Sequence, residues 1–204
     1  MLRSKGGTWR SAKGEGGGAL YDYACHAIDL VNFIAGAPAA VDGVVRRGIF
    51  SQDVDDEVYC TLRYANGASG QLSVNWSDES FRKMSTKVSV WGTRGRVTAD
   101  RQECQIYLRE PHPALPGTDK GWTVRYTTDL TEEVWYYLRG EEYSAQIDYF
   151  AESIAKRRLD GENTFRSAVD TDRIVSMING QTAGRLPPPT AQATRRGVLS
   201  RIFK

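Results

Sequence analysis

Two alternating runs joined by Asn66-Gly67 constrain the fold of this chain more than any other feature. In residues 57–64 every second position is apolar (Val58, Cys60, Leu62), and residues 68–76 continue the pattern with Leu72 and Val74. A period of two sends those side chains to one face of a strand, and Asn-Gly is the pair a tight hairpin turn favours. The runs are therefore expected to be antiparallel neighbours. Their other face carries Thr61, Arg63, Ser69, Gln71 and Ser73, so one side must be covered while the second stays polar.

The same reading extends outward. Residues 41–50 form a candidate strand before the hairpin. After it, 83–91 and 96–99 flank the turn Gly92-Thr93-Arg94-Gly95, with Lys87 and Ser89 on the polar side. Residues 103–108 and 122–127 are weaker strands around a loop rich in Pro and Gly at 111–121. Helical periodicity bounds the strands. Residues 20–35 carry Leu20, Ala24, Ala27, Val31 and Ile34 on one face and stop at Gly36 and Pro38. Residues 143–157 align Ile147, Phe150, Ala151 and Ile154 for docking on the sheet, and 167–179 repeat the pattern through Ala168, Thr171, Ile174, Val175 and Ile178. This order predicts an α+β fold, an open, mostly antiparallel β-sheet with helices packed on one face. The expected organisation is a glycine-rich lead-in at 1–18, one α+β domain at 19–187 and a frayed basic tail at 188–204.

Charge narrows the function classes. Lys and Arg total 27 against 25 Asp and Glu, a balance that does not announce a nucleic-acid binder. No run is long and apolar enough for a membrane span or a signal peptide. Cys25, Cys60 and Cys104 match no metal or redox spacing and read as free thiols of a reducing, cytoplasmic compartment. No metal site is expected.

Chemistry concentrates in residues 16–29, where three glycines lead into the first helix. At about 3.6 residues per turn, Asp22, His26 and Asp29 fall near one line. An imidazole there can exchange a proton near neutral pH, and the carboxylate can grip a hydroxyl. The alternative is a helix N-terminus whose exposed amides favour Asp22, with His26 a satisfied interior side chain. Cys25 points about 100° away from His26 and reads as a small hydrophobe. The glycines of residues 14–18 follow no strand, which argues against a phosphate loop. Asp53, Asp55, Asp56 and Glu57 read as a solvated turn, and His112, between Pro111 and Pro113, as an exposed loop residue.

The segment Gly16-Gly17-Gly18-Ala19-Leu20-Tyr21-Asp22-Tyr23-Ala24-Cys25-His26-Ala27-Ile28-Asp29 resembles the glycine-rich D-x-x-x-H-x-I-D helix of the Gfo/Idh/MocA oxidoreductases. Val90-Trp91-Gly92-Thr93-Arg94-Gly95-Arg96-Val97 is similar to that family's G-T-x-G turn. The closing helices, with Phe150 and Ser167-Ala168-Val169-Asp170, and the ending Gly184-Arg185-Leu186-Pro187 follow suit. The resemblance spans residues 8–187 and implies a dihydrodipicolinate reductase-like C-terminal domain. It implies the substrate-binding and dimerisation half of an NAD(P)-dependent oxidoreductase acting on a sugar or cyclitol hydroxyl. His26 would be the catalytic acid/base and Asp22 a substrate-binding carboxylate. Tyr21, Tyr23, Asn75, Trp76 and Ser77 are candidates to line the pocket.

A homodimer would form through the open sheet face. NAD or NADP would bind the parent's Rossmann domain, whose fingerprint and E-K-P lysine this sequence does not contain. No cofactor is expected for this chain alone, and therefore no redox turnover, whether it is an excised fragment or a natural short protein. Two rival readings are a non-redox lyase or isomerase using His26, and a non-catalytic assembly protein on the same fold.

Overall fold

The computed structural model describes residues 8–77, 85–138, 141–159, 161 and 164–181. In chain order the helices and strands are α1 (Cys25–Ala35), β1 (Ala40–Arg47), β2 (Glu57–Arg63), β3 (Ser69–Asn75), β4 (Val88–Gly92), β5 (Gly95–Ala99), β6 (Glu103–Leu108), β7 (Gly121–Tyr126), α2 (Thr127–Leu130), α3 (Glu141–Ala155) and α4 (Phe165–Gly180). They fall into two compact units: one runs up to Ser80 and resumes at Phe165, the other runs from Phe81 to Thr164. The fold is α+β, with open antiparallel sheets and helices on one face.

The first unit is built on the sheet β1-β2-β3. The Asn66-Gly67 turn forms as expected: the Tyr64 amide donates to the Ala68 carbonyl, and Gly67 takes φ +86°. Val58, Cys60, Leu62, Leu72 and Val74 face inward, joined by Val41 and Val44 of β1. Leu20, Ala24 and Ile28 cover them from one helical segment, and Ile174, Val175 and Ile178 of α4 from another. Fully burying an aliphatic side chain of this kind contributes about 1.5–3 kcal/mol, so this cluster is the main stabilising term of the unit. The polar face is as expected, with the Gln71 amide donating to Thr61 at 3.0 Å and Arg63 paired with Asp42.

Three expectations are corrected. The strands do not share one broad sheet; β4-β5-β6-β7 form a second, four-stranded sheet in the other unit. The acidic cluster is not solvated: Asp55, Asp56 and Glu57 are 6%, 1% and 7% exposed, because each carboxylate meets donors from elsewhere in the unit, and Asp53 alone stays at the surface. Helix α3 leaves Ile147, Phe150 and Ile154 uncovered. It docks instead through buried Ser144, whose hydroxyl accepts from the Leu138 amide and whose carbonyl accepts from the Tyr136 hydroxyl.

His112 is half-buried and fastens its own loop, its Nδ1 accepting from the Ala114 amide at 3.2 Å. Within the lead-in, Trp9–Ser11 and Lys13–Glu15 form 3₁₀ turns. The basic tail expected at 188–204 and the motif at 184–187 lie outside the described residues. Among the described residues no helix is long and apolar enough to cross a membrane.

Candidate functional site

The glycine run exists because two other segments approach it closely. A Cβ on Gly17 would stand 2.5 Å from the Arg10 carbonyl oxygen, and one on Gly18 would stand 2.9 Å from Asp55 Oδ1. Gly18 also holds φ +108°, a backbone state that side chains rarely adopt. Immediately after it, the Ala19 amide donates to the Asp55 carbonyl and the Leu20 amide to Asp55 Oδ2, each at 2.8 Å. The first amides of a helix need acceptors and favour negative charge, and a carboxylate from the loop before β2 supplies both. Asp55 thus occupies the place a phosphate takes in a nucleotide loop. Every strand pairing among the described residues is antiparallel, without the parallel crossover a dinucleotide site requires. These residues do not fit a dinucleotide.

With Asp55 supporting the amides, Asp22 is free for another task. Leu20–Ala24 form a π-helical turn that runs straight into α1, the Cys25 amide donating to the Leu20 carbonyl. Such widened turns are rare and concentrate at functional sites. Leu20, Ala24 and Ile28 point into the core, leaving Tyr21 exposed, Asp22 partly covered and His26 exposed along the outer side. Asp22 Oδ2 receives the Arg10 Nε–H at 2.8 Å, and the same guanidinium stacks over the Trp9 ring at 4.7 Å. The His26 imidazole engages no hydrogen-bond or ion-pair partner among the described residues. It is neither interior nor satisfied.

Asp29 is engaged with another helix. Its Oδ1 accepts from the Thr171 hydroxyl of α4 at 3.2 Å, so this carboxylate ties two helices together. The Cys25 thiol donates to the Tyr21 carbonyl at 2.9 Å, and burial above all pushes its pKa up, which suits a packing residue. Burial alone pushes the Cys60 thiol up to about 11. Among the described residues no group of three or more His, Cys, Asp or Glu side chains could hold a metal.

The remaining candidates lie elsewhere. Trp76 belongs to the core at 5% exposure: its indole N–H donates to Asp56 Oδ1 at 2.5 Å and its ring meets Tyr23 edge-on at 5.9 Å. Asn75 pairs in register with Glu57 on the outer face of the sheet, where its amide donates to Glu57 Oε2 at 3.4 Å and its carbonyl accepts from Ser77. Tyr21, Asp22 and His26 thus stand on the outer side of one helical segment, while Asn75 and Trp76 belong to the sheet and the core. Arg10 is the residue that sequence reading missed. Its signal was faint, a lone Trp9-Arg10 pair in a polar lead-in.

Residues 2–98 match the family model described as the GFO/IDH/MocA C-terminal domain. The chain is 30% identical over 216 residues to a putative UDP-kanosamine synthase oxidoreductase subunit of Amycolatopsis mediterranei, covering 92% of this chain and 56% of that protein. It is 30% identical over 126 residues to the levoglucosan dehydrogenase of Pseudarthrobacter phenanthrenivorans, covering 48% of this chain and 32% of that one. A solved levoglucosan dehydrogenase in complex with NADH and levoglucosan superposes with a TM-score of 0.68 at 22% identity, over 85% of this chain and 50% of its own. The chain therefore spans about half the length of such relatives. By sequence model over residues 2–98 this chain matches the Gfo/Idh/MocA C-terminal domain family, and it shares the fold of that solved dehydrogenase over 85% of its length.

Proposed function

We propose that this chain is the substrate-binding and dimerisation domain of an NAD(P)-dependent oxidoreductase acting on a sugar or cyclitol hydroxyl. One observation carries the reading: an exposed, unpartnered imidazole stands one turn from a carboxylate on a π-widened helix start. Oxidation of a carbinol requires its hydroxyl proton to be taken up, and His26 is the group placed to accept it. Asp22 accepts a hydrogen bond from a neighbouring hydroxyl, with Arg10 fixing the orientation of its carboxylate. NAD or NADP would be held by a part of the parent protein other than these residues. The free thiols of Cys25, Cys60 and Cys104 favour a reducing, cytoplasmic setting. The dimer would use the open face of the second sheet, where Trp91, Trp122, Val124 and Tyr126 are exposed.

The test is made in the full-length parent with D-glucose, myo-inositol and levoglucosan as probes. Asp22→Ala is expected to weaken binding about tenfold or more in calorimetry, the loss of a hydrogen bond to a charged group. His26→Ala is expected to leave binding nearly unchanged and to lower kcat by about 10²–10⁴-fold. Unchanged turnover after removal of the imidazole would refute the assignment.

A further inference from the structure

The hydroxyl of Tyr21 is held in a single direction. We infer that it serves the proposed site as a hydrogen-bond donor to an oxygen of the bound sugar or cyclitol, an inference that rests on the reading above. Three residues set that direction. Arg46 of β1 donates from Nη2 to Asp55 Oδ1 at 2.7 Å and from Nη1 to Asn179 Oδ1 at 2.5 Å. A guanidinium has five N–H donors and no acceptor, so it can face only the oxygen of the Asn179 amide. The amide nitrogen of Asn179 is thereby turned toward Tyr21 and donates to its Oη at 2.5 Å. A phenol oxygen that already accepts must send its own proton elsewhere. Among the described residues nothing receives it, and the Tyr21 side chain is 42% exposed.

The relay begins at the carboxylate that also anchors the helix start. Asp55 accepts from the Leu20 amide and from Arg46, so one buried group fixes both the backbone entering the π-helical turn and the direction of the phenol. Tyr21 then presents a donor on the same exposed helix start that carries the acceptor carboxylate of Asp22. The pair suits a ligand that offers a lone pair next to a hydroxyl, the pattern of a ring oxygen or a vicinal diol. Arg46 and Asn179 are positioning residues; Tyr21 is the contact.

The decisive variants are Tyr21→Phe and Asn179→Asp, made in the full-length parent and titrated calorimetrically with D-glucose, myo-inositol and levoglucosan. Tyr21→Phe is expected to weaken the tightest-binding probe about tenfold, the effect of one hydrogen bond. Asn179→Asp keeps the side-chain shape and strengthens the Arg46 contact, yet its second oxygen captures the Tyr21 proton. It is therefore expected to match Tyr21→Phe in binding while its melting temperature is maintained. A residue with only a structural role would leave binding unchanged in that variant. Unaltered binding in Tyr21→Phe, with Asp22→Ala still impaired, overturns the donor and leaves the proposed function standing. Unaltered binding in Asn179→Asp overturns the relay's direction. Absence of binding to the unsubstituted enzyme overturns both readings.

Discussion

Asp56 shows how much one carboxylate can organise. It accepts from the amides of Ile49, Phe50 and Ser51 at 2.6, 2.6 and 2.8 Å, from the Ser51 hydroxyl at 2.7 Å and from the Trp76 indole at 2.5 Å. Burial pushes its pKa up, but the bonds from Trp76 and Ser51, with the Ser51 and Phe50 amides, outweigh it, and the net value lies below the ordinary 3.8. A folded-state pKa below the unfolded one gives stability that is present above the unfolded value and is lost as pH falls through the folded one. Asp56→Asn should therefore cost about 2 kcal/mol or more at neutral pH, because amides that now face an NH₂ group go unpaired. The gap between the two proteins should narrow in urea denaturation below pH 3.8, and an equal gap at pH 7 and in acid would contradict this. Sequence reading missed the role because charge is a prior for exposure. Burial here depends on donors from the 49–51 turn and from Trp76, twenty positions away, and no local pattern reports them. The outward placement of Asp22 and His26 on one helical segment is legible for the opposite reason: their spacing is a local property.

Among the elements, periodicity gives the helical segment over 20–35 nearly to the residue, but not its π-helical opening. The two helical periods differ by less than one residue per turn, too little for a five-residue segment to betray. What selects the wider turn is tertiary: Asp55 claims the first amides, while Gly17 and Gly18 let the lead-in and the carboxylate close on the backbone. Gly18→Ala should destabilise the protein by about 2–3 kcal/mol, combining an unfavourable φ with the contact at Asp55. Gly14 offers a matched control, since a Cβ there meets nothing within 4 Å. Gly14→Ala should shift stability by less than about 0.5 kcal/mol. Similar losses from both substitutions in chemical denaturation would mean that the close approach to Asp55 is unimportant. The misjudged docking of α3 has a related cause. Its periodicity correctly marked an apolar stripe through Ile147, Phe150 and Ile154, but periodicity does not say what covers a stripe.

For the whole molecule, the second sheet raises the same question on a larger surface. Trp91, Arg96, Tyr107 and Trp122 occupy one row across β4 to β7, with Arg96 over the Trp91 ring at 5.1 Å and Tyr107 against Trp122 at 5.2 Å. Trp91 and Trp122 remain 69% and 58% exposed, and Val124 and Tyr126 extend the patch along β7. Large aromatic side chains bury about 150–250 Å² each when covered, so this half-exposed row is comparable with the largest apolar patch of an ordinary monomer, about 300–600 Å². Alternation placed these residues on one side of their strands but does not distinguish a face covered by its own chain from one covered by a second copy. A two-fold contact would bring each row against its symmetry mate, so one introduced charge appears twice in the interface. Trp91→Glu and Trp122→Glu should each convert a dimer to monomer in sedimentation equilibrium. Binding of sugar at Asp22 should persist, since that carboxylate is held within the first unit by Arg10. If both variants sediment as the unsubstituted protein does, the dimer contact lies on some other surface.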